Sequence, residues 1–206
     1  MTAPDGLAYD LARLSAAAAL ALALAFVLQQ RFRLRAALVG LQASAAAATA
    51  ACQGWAQGQG TLVLAAVAVL AVNGVLLPAA LVRAAERPSL PGPAPKLSGP
   101  LVLVLSALIV AAVVLATQPA ALGAGVGLAA EVSAVLLGLA GMVTARGAFE
   151  QASGLLAMEN GLALLVTGIP HLPFAGTLIV ATLALGASGV LFLTAFGGDA
   201  GMDGVA

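Results

Sequence analysis

The sequence predicts an all-α, polytopic integral membrane protein with about seven transmembrane helices. Of its 206 residues, 62% are hydrophobic and only 8% are charged, whereas a soluble domain carries about 25% charged residues. The mean hydropathy of +1.11 agrees with this. Only helices and closed barrels satisfy their backbone hydrogen bonds in lipid, and the continuous apolar runs favour helices. Residues 1–196 are therefore predicted to form a single transmembrane helical domain.

Seven stretches qualify as spans, because a transmembrane helix needs about 20 apolar residues. The second is the least apolar and is rich in alanine, so it is expected to pack against protein. Glu86–Lys96 contains four prolines and is predicted to be the one substantial loop. Residues 197–206 are predicted to be a flexible tail. The predicted spans lie near residues 10–29, 36–57, 61–83, 99–118, 124–145, 148–168 and 174–196.

The basic residues predict an orientation, because they are concentrated in alternate connections. Seven of the eight Lys and Arg residues follow odd-numbered spans, and the connections after even-numbered spans contain none. Since basic loops stay in the cytoplasm, the N-terminus is predicted outside and the C-terminus inside. Arg13, near Asp10 at the outer end of the first span, is the exception. The other basic residues are Arg31, Arg33, Arg35, Arg83, Arg87, Lys96 and Arg146.

Several function classes are disfavoured by the composition. The net charge of zero offers no basic surface for nucleic acid. The single cysteine, Cys52, excludes an intrachain disulfide, and no Cys/His cluster has metal-ligand spacing. Nucleophile-elbow and phosphate-loop motifs are missing from the sequence, so catalysis by this chain alone is not expected.

An acid in the middle of the sixth predicted span is the first candidate functional residue. Glu159 lies about 16 Å into that span at 1.5 Å per residue, near the middle of a ~30 Å hydrocarbon core. A carboxylate there costs several kcal/mol unless it is paired, hydrated or protonated. Within the predicted spans the only Lys or Arg residues are Arg13 and Arg83, and both lie near the end of their span. Glu159 is therefore expected either to hold a proton or to meet a cation or water from another subunit.

Glu131, in the fifth predicted span, is the second candidate for proton transfer. It lies roughly 10 Å below the outer face. Because the fifth and sixth spans form a hairpin, Glu131 and Glu159 are predicted in the same half of the membrane, within about a turn of each other. The pattern leaves open whether they face one another, and whether Glu131 has a functional or a structural role.

Three amide side chains are predicted to support these acids. Asn160 and Gln151 are expected to form helix–helix hydrogen bonds. Asn73 precedes Gly74 and Pro78 in the third span. Because Pro78 removes a backbone hydrogen bond to Gly74, the sequence predicts either a kink or tolerated packing there.

The stretch Ala145–Pro173 resembles the membrane component E of hydrogenase 4, a multi-spanning subunit of complex I-like, group 4 NiFe hydrogenases. In that family, a segment of the form Q-x-x-G-(L/F)-x-x-x-E-N-G carries an intramembrane glutamate. Residues 124–196 also resemble the K subunit of respiratory complex I and the C subunit of Mrp-type antiporters, which are three-helix proteins with a glutamate in the middle helix. Ala71–Arg83 is similar to another segment of the hydrogenase family. The positions matching the glutamate segment are Gln151, Gly154, Leu155, Glu159, Asn160 and Gly161.

Two departures from the family pattern limit what the resemblance implies. The family commonly has a lysine where this chain has Asn73. It also commonly has a glutamate opening the last span, whereas residues 174–196 contain no acid here. The resemblance therefore implies a role for Glu159 but not a complete two-acid relay. Either Glu131 substitutes for the missing acid, or the relay is partial and the subunit is mainly a scaffold.

The resemblance implies a non-catalytic membrane-arm subunit of a complex I-like oxidoreductase that contributes Glu159 to proton or ion translocation. No cofactor is expected in this chain, and the Fe–S clusters and the NiFe centre are expected in partner subunits. Its partners would be other membrane and peripheral subunits in a bacterial or archaeal cytoplasmic (inner) membrane. Two alternatives stay open: a structural scaffold of such a complex, and a subunit of an Mrp-type cation/proton antiporter.

Overall fold

The chain is all-helical throughout the part that the structure describes. The structure, a computed structural model, describes residues 3–29, 31–85, 99–124, 127–145, 147–169 and 174–196, and none of these lies in a β-strand. The proline-rich loop, the tail 197–206 and the basic residues Arg87, Lys96 and Arg146 lie outside the described residues.

Eight α-helices and one π-helical segment account for nearly all of these residues. The π segment joins α3 and α4 into one continuous rod. The elements are α1 (Ala3–Leu28), α2 (Phe32–Ala56), α3 (Gly60–Val69), the π segment (Leu70–Leu76), α4 (Leu77–Ala85), α5 (Gly99–Ala124), α6 (Gly127–Thr144), α7 (Ala148–Gly168) and α8 (Ala175–Phe196).

A helix, or the α3–π–α4 rod, lies at each of the seven stretches predicted as spans, with the largest differences at the ends of α1 and α5. Helix α1 begins at Ala3 instead of near residue 10. Pro4 is compatible with this start, because the first turn of a helix does not need the N–H that proline lacks. Helix α5 continues through Pro119 to Ala124, where the alanine-rich sequence has high helix propensity.

Three of these elements are long and apolar enough to cross a membrane. They are Gly6–Leu28, Phe32–Ala56 and Gly60–Arg83, and shorter apolar helices lie at Leu101–Val114, Leu128–Thr144 and Ala175–Leu191. The alanine-rich α2 is the most buried of the three, as its composition predicts. Helix α7 has sufficient length but belongs to neither group, because acidic and amide side chains interrupt its apolar sequence.

Helix α7 occupies the centre of the bundle. It packs against α6, α8 and α2, and makes smaller contacts with α1 and α4. Twelve of its 21 residues are buried, including Glu159 and Asn160. Helix α5, by contrast, packs on α6 and α1 at the periphery and exposes most of its described side chains. Helix α7, which carries two acids and two amides, is therefore enclosed by other helices, and this removes its need for a lipid-compatible surface.

Small residues allow the helices around α7 to approach closely. A Cβ atom at Gly154 would lie 2.5 Å from the backbone nitrogen of Met142, and one at Gly161 would lie 2.5 Å from that of Val135. Gly138 likewise lies against the backbone of Met158. These contacts define the antiparallel register of α6 and α7, and they follow the small-residue packing typical of membrane helices.

The π segment is the local consequence of Pro78. Proline has no N–H to bond with the carbonyl of Gly74 in a regular α-helix. Instead, the backbone N–H of Leu77 donates to the carbonyl of Val72, five residues earlier, which is the π-helical pattern. The sequence predicted a kink or tolerated packing here, and the structure has a wide turn that contains the buried Asn73.

The Gly161→Ala substitution tests the α6–α7 packing. The added methyl group meets the Val135 backbone, which has no rotamer through which to move away, so we expect a loss of about 1–3 kcal/mol in stability. The measurement is thermal unfolding of the full chain in detergent. The control is Gly60→Ala, because no atom lies within 4 Å of a Cβ there. Equal unfolding midpoints for the two variants would contradict the close packing.

Candidate functional site

The candidate site is built around Glu159, near the middle of α7. Glu159 is only 4% exposed. The other acid of α7, Glu150, lies in the first turn of that helix. Asn73 and Gly186 contact Glu159 near the midpoints of the π segment and of α8. Gln42, near the midpoint of α2, bonds to the α7 backbone two residues before Glu159. Glu159 is thus buried at the level farthest from both ends of the bundle.

A hydrogen-bonded cluster joins Glu159 to two other helical elements. The Nδ2 atom of Asn73 donates to Oε2 of Glu159 at 3.5 Å and to Oδ1 of Asn160 at 3.1 Å. The Nδ2 atom of Asn160 in turn donates to the backbone carbonyl of Val39 in α2 at 3.1 Å. We call Gln42, Asn73, Glu159 and Asn160 the central polar cluster. The structure thus brings together three of the five residues that the sequence singled out.

Gln42 is the member of the central polar cluster that sequence reasoning missed. It is fully buried, and its Nε2 atom donates to the carbonyl of Ala157 in α7 at 3.4 Å. The sequence predicted only that the alanine-rich span containing Gln42 packs against protein. Its spacing of three residues from Val39 puts both on one face of α2, but nothing in the sequence indicates that this face meets Asn160.

The backbone fixes the orientation of the amides. Because the Val39 carbonyl is an acceptor only, Asn160 must turn Nδ2 toward α2 and Oδ1 toward Asn73. Asn73 must then present its Nδ2 atom to Asn160. The Ala157 carbonyl orients Gln42 in the same way. As a result, three buried oxygens have no hydrogen-bond partner among the described residues: Gln42 Oε1, Asn73 Oδ1 and Glu159 Oε1.

Gly186 provides the space for the Glu159 carboxyl group. A Cβ atom at position 186 would overlap the carboxyl carbon and both of its oxygens. Helix α8 therefore accommodates the acid at the one point where it has no side chain. The Asn73 amide and the backbone of Gly186 lie against the carboxyl, and neither carries a positive charge.

Glu131 lies in α6, outside the central polar cluster. It is 4% exposed, and its carboxyl group lies against Gly168 at the end of α7. Since Gly161 meets Ala134 and Val135, Glu131 is level with a position about four residues beyond Gly161, ~8–9 Å along the axis from Glu159. The two acids are thus separated by about one and a half turns, somewhat more than the sequence predicted, and no described hydrogen bond joins them.

Gln151 is also separate from the central polar cluster. It is half-buried in the first turn of α7, about 12 Å along the helix from Glu159. Its expected role in helix–helix hydrogen bonding stays a prediction, and its position makes it a control for substitutions in the cluster.

Arg35 precedes the predicted second span by one residue, and its cytoplasmic location stays a prediction. In the structure it lies in the first turn of α2, with its guanidinium 4.5 Å from the centre of the Phe26 ring. It is 9% exposed, and Glu150 is close enough to interact electrostatically with it. The aromatic face and this acid compensate its burial. Arg35 is two turns from Gln42, about 10 Å, so it does not neutralise Glu159.

Comparison with protein-family models, with curated proteins and with solved structures finds no match to this chain.

The Gly186→Ala substitution tests how the Glu159 carboxyl group is accommodated. The new Cβ displaces the carboxyl, so the unfolding midpoint of the full chain in detergent is expected to fall by at least ~3 °C. Gly189→Ala is the matched control in α8, because the Cβ there meets only the flexible end of Leu155, at 2.8 Å. A Gly186→Ala variant as stable as Gly189→Ala would show that the carboxyl group does not occupy this space.

Proposed function

We propose that this chain is a non-catalytic membrane-arm subunit of a complex I-like oxidoreductase of the group 4 NiFe hydrogenase type. Its place would be a bacterial or archaeal cytoplasmic membrane. The resemblance of Ala145–Pro173 to hydrogenase 4 component E supports the family, and the apolar helices support a membrane location. Redox chemistry would take place at Fe–S clusters and a NiFe centre in partner subunits.

The proposed topology has seven spans, with the N-terminus outside and the C-terminus in the cytoplasm. The alternation of basic and uncharged connections supports it. The short turn at residues 57–59 agrees, because it connects α2 to α3, which packs against α2. Gly58 in this turn has a φ of +66°, which favours glycine.

The proposed role of Glu159 is to carry a proton or to compensate an ion at the middle of the membrane. The observation that supports this role is a buried carboxyl group with one oxygen unpartnered and no described cation in contact with it. Such a carboxyl group can exchange a proton or an ion with water or with a neighbouring subunit, because no described residue neutralises its charge permanently. The amide of Asn73 stabilises the ionised form by donating a hydrogen bond.

Glu131 is proposed as a second, separate exchange group. Its distance from Glu159 means that transfer between the two needs an intervening water or a side chain from another subunit. This arrangement is compatible with the partial relay that the missing acid in the last span implies.

A purely structural role is the second candidate, and the Asn160 amide favours it. Asn160 joins α7, α2 and the π segment through hydrogen bonds from both ends of its amide. In this alternative, a protonated Glu159 is one more interhelical hydrogen-bonding group.

The topology is tested by introducing single cysteines into a Cys52→Ala background. We expect Gly60→Cys to react with a membrane-impermeant maleimide in intact cells, and Ser89→Cys to react only after the membrane is opened. Gly60 precedes the third predicted span on the outer side, whereas Ser89 lies in the basic cytoplasmic connection. The reverse pattern would invert the topology, and equal labelling of both positions in intact cells would contradict the span count between them.

The Glu159→Gln substitution tests the coupling role. We expect the tagged variant to assemble with its partner subunits and to retain their redox activity, while redox-linked ion translocation in proteoliposomes falls by at least about tenfold. The reason is that glutamine keeps the size of the side chain but has no exchangeable charge.

Glu150→Gln is the control for this experiment, since it makes the same change at the end of the same helix. Wild-type translocation in Glu159→Gln would remove Glu159 from the mechanism. Loss of assembly would favour the structural role. Purification of the wild-type chain alone, without other subunits, would contradict both complex-based functions.

A further inference from the structure

The central polar cluster has an excess of hydrogen-bond acceptors. Gln42 Oε1, Asn73 Oδ1 and Glu159 Oε1 are all buried and lack partners among the described residues. The side chains that carry them are exposed by 0%, 1% and 4%. Burial of even one polar group without a partner is unfavourable by about 1–3 kcal/mol. Each of these three oxygens, on three helical elements, has a lone pair to offer to a hydrogen-bond donor or a cation.

Two of the three oxygens belong to side chains that touch, those of Asn73 and Glu159, and the third belongs to Gln42, which bonds to the same helix as Glu159. Asn73 Oδ1 shares its amide carbon with the Nδ2 atom that contacts Glu159, and Glu159 Oε1 shares its carboxyl carbon with the oxygen in that contact. Gln42 bonds to Ala157, two residues before Glu159. The carbonyls of Val39 and Ala157 hold the amides of Asn160 and Gln42 in these orientations. A flip of either amide would turn its oxygen toward a carbonyl oxygen, so a flip does not provide the missing partners.

A bound cation satisfies this set of atoms better than a proton does. One proton on the Glu159 carboxyl forms a single O–H···O bond and leaves at least one of the three oxygens unpartnered. Carboxylate and amide oxygens are hard ligands, which suit hard cations. One carboxylate balances a single positive charge. A divalent ion would leave a net positive charge at the middle of the hydrocarbon core, where charge is most unfavourable.

We infer that the central polar cluster is a binding site for one monovalent hard cation, Na⁺, with Gln42 Oε1, Asn73 Oδ1 and Glu159 Oε1 as its ligands. Irregular helical backbone at mid-membrane depth is a recurring feature of ion sites in transporters, and the π segment provides it at Asn73. This inference deepens the proposed function by naming the ion, and it rests on that function for the membrane position of the site.

The test is equilibrium binding of ²²Na⁺ to the purified full chain in detergent, with ionic strength held constant by choline chloride. We expect saturable binding of one Na⁺ per chain. Glu159→Gln, Asn73→Leu and Gln42→Leu each remove a charge or a ligand oxygen, and each is expected to weaken binding by at least ~10-fold.

Gln151→Leu is the matched control, because it makes the same change as Gln42→Leu on a helix of the site but about 12 Å from Glu159. It is expected to bind Na⁺ as the wild type does. Size-exclusion profiles and circular dichroism identify variants that remain folded, and only those are compared.

Lack of saturable Na⁺ binding by the folded wild-type chain would overturn the inference, whatever the variants do. Unchanged binding in any folded variant of the three would remove that residue from the site, and unchanged binding in Glu159→Gln would overturn the site as a whole. Because the assay uses the isolated chain, its failure leaves membership of a redox complex untouched. Conversely, failure of the chain to co-purify with other subunits would overturn the proposed function and leave the Na⁺ site standing.

Discussion

The burial of one carboxyl group at the midpoint of α7 is the constraint on which the rest of the structure depends. An apolar bundle cannot accept Glu159 without compensation, because an ionised or unpaired acid is strongly unfavourable away from water. The surrounding helices provide that compensation in different ways. The π segment donates a hydrogen bond through Asn73, α2 orients the neighbouring amides, and α8 leaves room at Gly186. Helix α7, which carries this acid, is central for the same reason.

The helices themselves could be predicted from sequence because their signal is local. Long apolar runs, proline-rich interruptions and alternating basic connections specify where helices begin and end to within a few residues. Two ends moved: the one at Ala3, where Pro4 suits the first turn of a helix, and the one at Ala124, where alanines follow Pro119. The mid-helix depth of Glu159 was equally accessible, since it needs only a count of residues along one helix.

The members of the site could be predicted only in part, because their contacts depend on how each helix is rotated about its axis. Asn73 and Asn160 were recognised as polar residues in apolar spans, but their hydrogen bond could not be derived. Gln42 was missed, since an alanine-rich helix presents no strong apolar face from which to infer its orientation. The burial of Arg35 could not be predicted, because the groups that compensate it, the Phe26 ring and Glu150, come from other helices.

The absence of a side chain at Gly186 makes the position of the Glu159 carboxyl group depend on how α8 is rotated about its own axis. Successive residues of an α-helix are turned by about 100° from one another. A rotation of α8 by one such step would exchange the hydrogen of Gly186 for the methyl group of Ala187 or the bulk of Leu185, and the carboxyl group would be expelled from its niche. The rotation of α8 about its axis and the position of the Glu159 carboxyl group therefore depend on each other. A partner that bound the outer surface of α8 and rotated this helix would displace that carboxyl group.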